Sequence, residues 1–361
     1  MSSGRVVPKK DRLEEERELL RRLLEKEGLN AQSAQTSRGA TQEQPTASSP
    51  EASGTRPSVF PLSYQQEQLW FLDRFQPNSD FYNVPMTLKL KGDLDVPRLE
   101  RSLREVVRRH EILRTCFVKD EREEPKQKVV GVKLDVQLPV MDLRQLDPGE
   151  REQQAKKVVA QEAGKAFDLS QAPLFRGVLV RTKDAEHILV LTLHHSICDE
   201  WSLGVLMEEL EKLYEAYGRG EESPLPELEM QYSGYALQQR EELRGEKFQQ
   251  QMEYWKRQLD GMPQVLELQT DHVRQAQQSF RGGMQDRSMG SGLLAGLNAL
   301  GRAEGASLFM TLLAAFHVLL MRYSGQEDFG VGISITNRSR RNTHELIGFF
   351  LNTLVIRANL E

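Results

Sequence analysis

Two adjacent histidines and a nearby aspartate are the residues of this chain best suited to chemistry. His194 and His195 end an apolar run, and Asp199 lies four residues after the second histidine. A neutral imidazole has an ordinary pKa of ~6.5, so it can accept a proton near neutral pH. A carboxylate close by can hold the shape of the turn. The pattern indicates a positioned base with a structural brace, as an acyl-transfer site requires.

The strand predicted before the histidines indicates to which face of the sheet each of the two side chains points. Residues 188–193 form a short apolar run rich in Ile, Leu and Val, which is typical of a buried strand. Neighbouring strand residues point to opposite faces, so one of His194 and His195 faces inward and the other faces a cavity. This division argues against a two-histidine metal site, and His187 and Cys198 do not complete a zinc spacing. We therefore expect no metal here.

An amphipathic helix is predicted after the histidines. Its apolar residues recur every three or four positions, as one helix face requires. They are Leu203, Leu206, Met207, Leu210, Leu213, Tyr214 and Tyr217. Asp199 or Ser202 can cap its start, and Gly218 and Gly220 mark its end. The turn thus lies near a helix N-terminus, which favours developing negative charge. A thiol nucleophile at Cys198 is the weaker alternative, because no separate base is identified for it.

The composition narrows the possible function classes. The 361 residues carry a formal net charge of -5 with both signs well mixed, so nothing points to nucleic acid. No apolar run is long enough to span a membrane, and the start has no signal-peptide core. The 2 cysteines are too few for a disulfide framework and favour a reduced, cytoplasmic chain. The length is sufficient for two compact units.

Several sequence blocks occur in an order that resembles one known family. The block from His194 to Glu200 resembles the HHxxxDG signature of the condensation domains of nonribosomal peptide synthetases, in the chloramphenicol acetyltransferase-like superfamily. Further blocks are similar to SxAQxRLWxL, YNxP, RHExLRTxF, YSGQxD and IGxFVNTxxxR. In this chain they are Leu62–Leu72, Tyr82–Pro85, Arg109–Phe117, Tyr323–Asp328 and Ile347–Arg357. Together they extend from about Pro61 to the last residue.

Three departures from the family pattern matter. Glu200 stands where the family usually has Gly, which can supply a backbone angle or clearance that Glu cannot. Gly234 and Gln238 replace the Asp and Trp of the family's YxDYAxW block. A family domain normally runs well beyond the position of Glu361, so we expect an incomplete second lobe.

The resemblance implies the fold. We expect an α/β (α+β) architecture with two chloramphenicol-acetyltransferase-like lobes in a V, a tunnel between them and a truncated second lobe. The N-terminal lobe is expected at residues 58–227 and the partial C-terminal lobe at 228–361. Periodicity alone predicts mixed strands and helices without strict βαβ order. The helix patterns include residues 96–109, 150–166, 293–302 and 307–322, and the strand patterns include 174–180, 329–335 and 353–358.

The N-terminal residues have a different character. Residues 1–29 contain a charged helix pattern with a leucine stripe, and residues 30–57 have the Ser-, Thr-, Gln- and Pro-rich composition of a disordered linker. A helix of this length is marginal alone in water. It is either a solvated leader or a docking element for an upstream synthase subunit through residues 11–28, since similar leaders precede condensation domains.

The resemblance also implies a reaction and its participants. An acceptor amine attacks a donor thioester, and both substrates arrive on the 4'-phosphopantetheine arms of carrier proteins. No cofactor is expected to bind the domain directly. His195 would accept the proton of the amine or position the amine, and both roles remain open. Adenylation domains are the expected neighbours, and no nucleic acid or membrane partner is expected.

The remaining site residues are assigned supporting roles. His194 is the inward partner, and we expect Asp199 to hold the loop through Arg109 or Arg338. The candidates for the tunnel wall are Glu200, Trp201, Ser202 and Asn352. Asn352 can instead bond its own backbone as a strand-end residue.

Two other functions remain open. An ester-forming acyltransferase would use the same residues with an alcohol as acceptor. A degenerate, non-catalytic domain that recruits carrier proteins or tailoring enzymes is the second alternative, and Glu200, Gly234 and Gln238 favour it. The retained His195 and Asp199 argue against it, because a pure scaffold does not need them.

Overall fold

The computed structural model describes residues 58–131, 136–273 and 282–360. The predicted leader helix at 1–29 and linker at 30–57 lie outside the described residues. All described residues belong to one unit of the chain, Arg56–Glu361. The division into lobes between residues 227 and 228 stays a prediction.

Strands and helices alternate irregularly along the described chain. In chain order the strands are β1 (Val59–Pro61), β2 (Asn83–Lys91), β3 (Thr115–Lys119), β4 (Pro125–Val129), β5 (Val140–Asp142), β6 (Phe175–Lys183), β7 (Glu186–His194), β8 (Asp328–Ile335) and β9 (Asn352–Asn359). The helices are α1 (Tyr64–Phe75), α2 (Val96–Arg109), α3 (Pro148–Gly164), α4 (Glu200–Gly218), α5 (Tyr232–Glu242), α6 (Gly245–Leu259), α7 (Ser291–Ala303) and α8 (Leu308–Ser324). Short 3-10 turns lie at Glu111–Arg114, His195–Ile197 and Arg341–Thr343. The predicted mixed α/β class is confirmed, and the element bounds differ from the predicted ones by a few residues.

The larger sheet positions the two histidines. Its strand order is β2-β7-β6-β5, with β2, β7 and β6 antiparallel and β5 parallel to β6. The register of β2 on β7 sets Asn83 opposite His194. The block that begins at Tyr82 is therefore carried to the end of β7, directly beside the histidines.

Apolar clusters cover both faces of this sheet. Leu191 and Leu193 of β7 belong to the cluster that includes residues of α2 and α4, whereas Val190 belongs to the cluster that joins α3 to the sheet. Both faces of β7 are buried, which explains its continuous apolar run. Burying one such side chain fully contributes about 1.5–3 kcal/mol relative to leaving it exposed.

The start and packing of α4 follow from its sequence. Asp199 is the N-cap, and its carboxylate accepts the Ser202 backbone N–H at 2.8 Å. Leu206 and Leu213 of the predicted apolar stripe are buried in the cluster shared with α2. The helix ends at Gly218, as predicted. This places the predicted helix start directly after the histidine turn.

A separate two-stranded sheet belongs to the C-terminal part of the chain. β8 and β9 are antiparallel, from Asp328 opposite Asn359 to Ile335 opposite Asn352. Two helices that precede these strands are packed against few other residues. Among the described residues, α6 has no buried residue and α8 has only His317. Many of the exposed α8 side chains are large and apolar. They are Phe309, Met310, Leu312, Phe316, Val318, Leu319 and Tyr323.

The described helices were also compared with the length and apolarity that a membrane span needs. No single helix among the described residues is both long enough and apolar enough. Taken together, α7 and α8 meet both criteria, but the chain bends by 100° between them.

The connection between β8 and β9, residues 336–351, packs against the start of α4. Arg338 and Phe350 of this connection are buried. Trp201 of α4 donates its Nε1–H to the His344 carbonyl oxygen at 2.9 Å. The connection therefore brings residues from late in the chain to the histidine turn.

Candidate active site

The strand that carries the histidines ends between them. β7 stops at His194, and His195 begins the 3-10 turn that runs to Ile197. The backbone N–H of His195 donates to the Tyr82 carbonyl oxygen at 2.8 Å. The chain therefore leaves the sheet at His195, and the two histidines differ in exposure: His194 is buried and His195 is half-buried.

The His195 ring is anchored through one nitrogen. Its Nδ1 lies 2.7 Å from the Cys198 carbonyl oxygen. A carbonyl oxygen only accepts, so Nδ1 carries the hydrogen and the neutral ring has its lone pair on Nε2. The side chain is half-buried, and it packs against Phe349 with ring centroids 4.7 Å apart. Nε2 can therefore accept a proton or a hydrogen bond through this lone pair.

His194 is the inward histidine. It is 3% exposed, and its Nδ1 accepts the Ser196 backbone N–H at 3.2 Å and lies 2.8 Å from the Ser196 hydroxyl. The rings of Tyr82 and Phe167 flank it. Burial, with a further contribution from His195, lowers the pKa of His194 to about 4. The ring is therefore neutral at neutral pH, which fits a supporting role.

Asp199 joins the turn, the helix and the β8–β9 connection. The residue is 2% exposed. Its Oδ1 accepts from the Ser202 N–H at 2.8 Å, the Ser202 hydroxyl at 2.6 Å and Arg338 Nη2 at 3.0 Å. Oδ2 accepts the Phe350 N–H at 3.1 Å. These contacts make Asp199 a brace rather than an exposed acid.

The Arg338 guanidinium is the cation of this brace. It is 5% exposed and donates to the carbonyl oxygens of Thr343 and Leu346 at 2.5 and 2.7 Å. Its Cζ also lies 3.9 Å from the centroid of the Phe350 ring. Burial lowers the pKa of Arg338, and Asp199 opposes that shift. Of the two predicted partners of Asp199, the structure selects Arg338.

The prediction that Arg109 can pair with Asp199 is wrong, because Arg109 belongs to a different cluster of charged residues. Its guanidinium pairs with the buried carboxylate of Glu209. His110 completes the cluster, because its Nε2 lies 2.8 Å from Glu209 Oε2 and its Nδ1 accepts the Ile347 N–H at 3.4 Å. Arg109 ends α2, which packs along α4, so it meets a carboxylate from the middle of α4 rather than the one at its start.

The structure also corrects the assignment of Ser202 to the tunnel wall. Ser202 is fully buried, and its hydroxyl contacts Asp199 and the Gly348 backbone. Trp201 is 38% exposed, with its Nε1–H bonded to the His344 carbonyl oxygen. The reason is helical geometry: the buried face of α4 includes Ser202 and leaves Trp201 partly outside.

Glu200 and Asn352 are exposed. Glu200 is the first residue of α4 and has helical conformation, so this position does not need the backbone freedom of glycine. A carboxylate in the first turn is also favourable with the helix dipole. The Asn352 Oδ1 accepts the Thr353 N–H at 2.9 Å, a local bond typical of a strand end. Their roles on a tunnel wall stay predictions.

Sequence reasoning did not identify Phe349, Gly348 and Tyr232 as parts of the site. The Phe349 ring lies against His195, and the Tyr232 hydroxyl donates to the Phe349 carbonyl oxygen at 2.5 Å. Gly348 passes so close to Tyr232 that an added Cβ would lie 2.0 Å from its Cδ2. All three residues belong to recognised sequence blocks, but the blocks do not reveal which of their side chains meet.

Cys198 is not suited to nucleophilic chemistry. It is fully buried, and its Sγ lies 3.7 Å from the His194 carbonyl oxygen. Burial raises the pKa of the Cys198 thiol well above its ordinary value. The reactive thiolate is therefore not populated near neutral pH, which leaves His195 as the candidate of this turn.

A cavity of about 630 Å³ lies at the edge of the larger sheet. Its lining comes from the loop before β5, the end of α3 and the start of β6, and includes Val136, Glu162 and Arg176. The lining does not include His195 or Asp199. The passage to His195 that the resemblance implies therefore stays a prediction.

Comparison with known sequences gives one consistent family. The family model for the condensation domain matches residues 57–361. A linear gramicidin synthase protein of Brevibacillus parabrevis is 46% identical over 306 residues, which are 85% of this chain and 6% of that relative. A phosphinothricin tripeptide synthetase of Streptomyces viridochromogenes is 36% identical over 301 residues, which are 83% of this chain and 28% of the synthetase. The chain thus spans a small part of the length of each relative.

Solved structures agree in fold. The complex of the X-domain and OxyB from teicoplanin biosynthesis matches with a TM-score of 0.76 at 28% identity, over 85% of this chain and 67% of the matched one. The first condensation domain of the CDA synthetase matches with a TM-score of 0.68 at 20% identity, over 84% and 71% of the two chains. The second likeness concerns the fold alone. Since the family model covers most of the sequence, this chain belongs to the condensation domain family of nonribosomal peptide synthetases.

Proposed function

We propose that this domain forms an amide bond between a donor acyl or peptidyl thioester and an acceptor aminoacyl thioester. Both substrates would be presented on the 4'-phosphopantetheine arms of carrier proteins. The observation that carries the proposal is the hydrogen bond from His195 Nδ1 to the Cys198 carbonyl oxygen, because it leaves Nε2 of a half-buried ring as the acceptor. The similarity to a tripeptide synthetase supports a peptide product.

The bonds change in a simple sequence. The acceptor nitrogen bonds to the thioester carbonyl carbon, the C–S bond breaks, and the amine proton passes through His195 Nε2 to the departing sulfur. A thioester is already an activated acyl donor, so orienting two tethered reactants can supply roughly 7–11 kcal/mol of the barrier. A positioned general base adds about 10²–10⁴-fold in rate.

The supporting residues keep the imidazole in place. Asp199 and Arg338 tie the turn to α4 and to the β8–β9 connection. His194 stays neutral within the sheet because burial lowers its pKa. The N-terminus of α4 follows the turn directly, and the Asp199 and Glu200 carboxylates lie at its partial positive charge.

In this proposal the domain works with donor and acceptor carrier proteins and an adjoining adenylation domain, and it is located in the cytoplasm. Phosphopantetheine belongs to the carrier proteins and enters as part of the substrates.

Single-turnover condensation tests the proposal. Donor and acceptor carrier proteins are loaded with labelled thioesters and mixed with the full chain, and the amide product is followed over time. His195→Ala should fold normally and lose turnover by ~10²-fold or more. His272→Ala is the matched control, because His272 is an exposed histidine far along the chain from the turn, and it should keep the wild-type rate. Full turnover by His195→Ala would remove the base assignment, and no amide from the wild-type chain would contradict the reaction.

A further inference from the structure

Phe349 lies against the imidazole to which the chemistry is assigned. The ring centroids of Phe349 and His195 are 4.7 Å apart at an interplanar angle of 57°. Phe349 is 8% exposed, so its ring is packed on the imidazole rather than directed into solvent. Within the sequence block Ile347–Arg357, Phe349 occupies the position that the family pattern leaves open, whereas Phe350 occupies a fixed one.

The backbone around Phe349 is held by four residues from other segments of the chain. The Ile347 N–H donates to His110 at 3.4 Å and the Gly348 N–H to the Ser202 hydroxyl at 3.0 Å. The Phe349 carbonyl oxygen accepts the Tyr232 hydroxyl at 2.5 Å, and the Phe350 N–H donates to Asp199 at 3.1 Å. Four consecutive residues are therefore fixed, and two of these bonds go to Ser202 and Asp199 at the start of α4, directly after the histidine turn. The backbone that carries Phe349 is therefore held on both sides of the residue.

The imidazole itself has few restraints. Among the described residues, its one hydrogen bond is the contact of Nδ1 with the Cys198 carbonyl oxygen. A ring held at a single atom can rotate away from that partner unless something blocks its faces. Without that partner, the hydrogen of a neutral histidine in water resides mainly on Nε2, which would remove the lone pair that the reaction needs.

We propose that Phe349 is a positioning residue that holds His195 in the Nδ1–H tautomer, with Nε2 free to accept the proton of the acceptor amine. The proposal rests on the proposed function for its kinetic consequence, but the tautomer is a property of the protein alone. Phe349 acts through His195, and its ring excludes water from one face of the imidazole.

The tautomer can be read directly by NMR of the full chain labelled with ¹⁵N-histidine. The chain has 7 histidines, and the spectrum of His195→Gln identifies the His195 signals. In its neutral form the wild-type ring should show a protonated Nδ1 and an unprotonated Nε2. Phe349→Leu and Phe349→Ala should show a mixture in which the Nε2–H form has grown, with the larger change in the alanine variant.

A matched control removes an aromatic ring from another histidine. Phe329 is 1% exposed and packs edge-to-face on His317 with centroids 5.8 Å apart. Phe329→Leu should leave the His195 signals unchanged, although it removes a buried ring of the same kind. If Phe349→Ala does not fold, the leucine variant and its unfolding midpoint keep the comparison possible.

Kinetics give the second measurement. The Phe349 variants should lose roughly ten- to a hundredfold in single-turnover rate at saturating carrier proteins, as expected for a misplaced catalytic group, with half-saturating concentrations unchanged. An unchanged His195 tautomer in the folded Phe349 variants would overturn the proposal. Retained turnover in His195→Ala would instead overturn the proposed function, and the tautomer measurement would still decide what Phe349 does.

Discussion

Two parts of the molecule differ in how completely other residues bury their helices. The first part carries the histidines, and the second carries β8 and β9. In the first part, Leu103 of α2 is 4% exposed and Leu213 of α4 is fully buried. In the second part, Phe309 and Leu319 of α8 are 58% and 50% exposed. α8 is the more apolar helix by sequence, yet α4 is the more buried. Apolar residues at helical spacing therefore predict a helix, whereas its coverage depends on which elements surround it.

The site takes unequal contributions from the two parts. His195, Asp199 and Ser202 stand on the histidine turn and the start of α4. Arg338 and Phe349 come from the β8–β9 connection and reach the turn through the brace. Substitutions at the brace should therefore affect folding and catalysis together, and substitutions on the outer face of α8 should affect neither.

The largest effect is expected from Asp199→Ala. The substitution leaves the Arg338 guanidinium buried and uncompensated, and breaking one partner of a buried pair lowers the unfolding free energy by about 3–5 kcal/mol. Folding yield and urea unfolding measure the loss. Asp142→Ala is the control, because Asp142 pairs with Arg144 on the surface and should change both quantities little. Normal folding with lost turnover in Asp199→Ala would contradict the brace role.

A comparable loss is expected from Leu213→Ala. Leu213 is fully buried in the cluster between α4 and the sheet, so removing its side chain leaves a cavity. Such substitutions lower the unfolding free energy by about 2–5 kcal/mol. Urea unfolding followed by circular dichroism measures the change. A loss below ~1 kcal/mol would mean that the core around α4 collapses to fill the gap.

The sequence predicted helices and strands better than it predicted which distant residues contact each other. The spacing of Leu206, Leu210 and Leu213 indicated α4, and Gly218 indicated its end. Asp199 was expected to hold a charged partner, but the choice between Arg109 and Arg338 needed coordinates because Arg338 is 139 residues away. Local patterns report local structure, and no local pattern encodes where a distant connection returns.

The same limit explains Ser202 and Phe349. A polar residue in the first turn of a helix can face a cavity or a buried network with equal ease. Ser202 belongs to a network because the Gly348 backbone returns beside it. Phe349 occupies a position that the family pattern leaves open, so its contact with His195 was not visible in the sequence.

Acid should destabilise the first part through His194. The folded state holds the pKa of His194 at about 4, below the ~6.5 of an unfolded chain, because burial disfavours the charged ring. Between these values only the unfolded state binds the proton, so stability falls as the pH falls from ~6.5 to ~4. The full difference corresponds to about 3 kcal/mol. The measurement is the unfolding free energy at a series of pH values for wild type and His194→Gln. Identical slopes in the two proteins would show that His194 does not contribute.

A smaller loss is expected from Gly348→Ala. The new Cβ would lie 2.0 Å from Tyr232 Cδ2, so the connection or the tyrosine must shift. Overpacking of this kind typically lowers stability by about 1–3 kcal/mol. Because Phe349 follows directly, single-turnover condensation should slow as well. Gly204→Ala is the control, since an added Cβ there meets nothing within 4 Å. A Gly348→Ala protein with wild-type stability and rate would show that the connection adapts without disturbing the site.

The smallest effect is expected from Leu319→Ala on α8. Leu319 is 50% exposed, so the substitution removes little buried surface and should change the unfolding free energy by no more than ~0.5 kcal/mol. Turnover should be unchanged, since the site receives only the β8–β9 connection from this part. Leu213→Ala deletes the same atoms from the same residue type, so the difference between the two variants measures coverage by neighbours alone. A loss equal to that of Leu213→Ala would mean that α8 is covered in solution, and a dependence of the loss on protein concentration would identify a second copy of the chain as the cover.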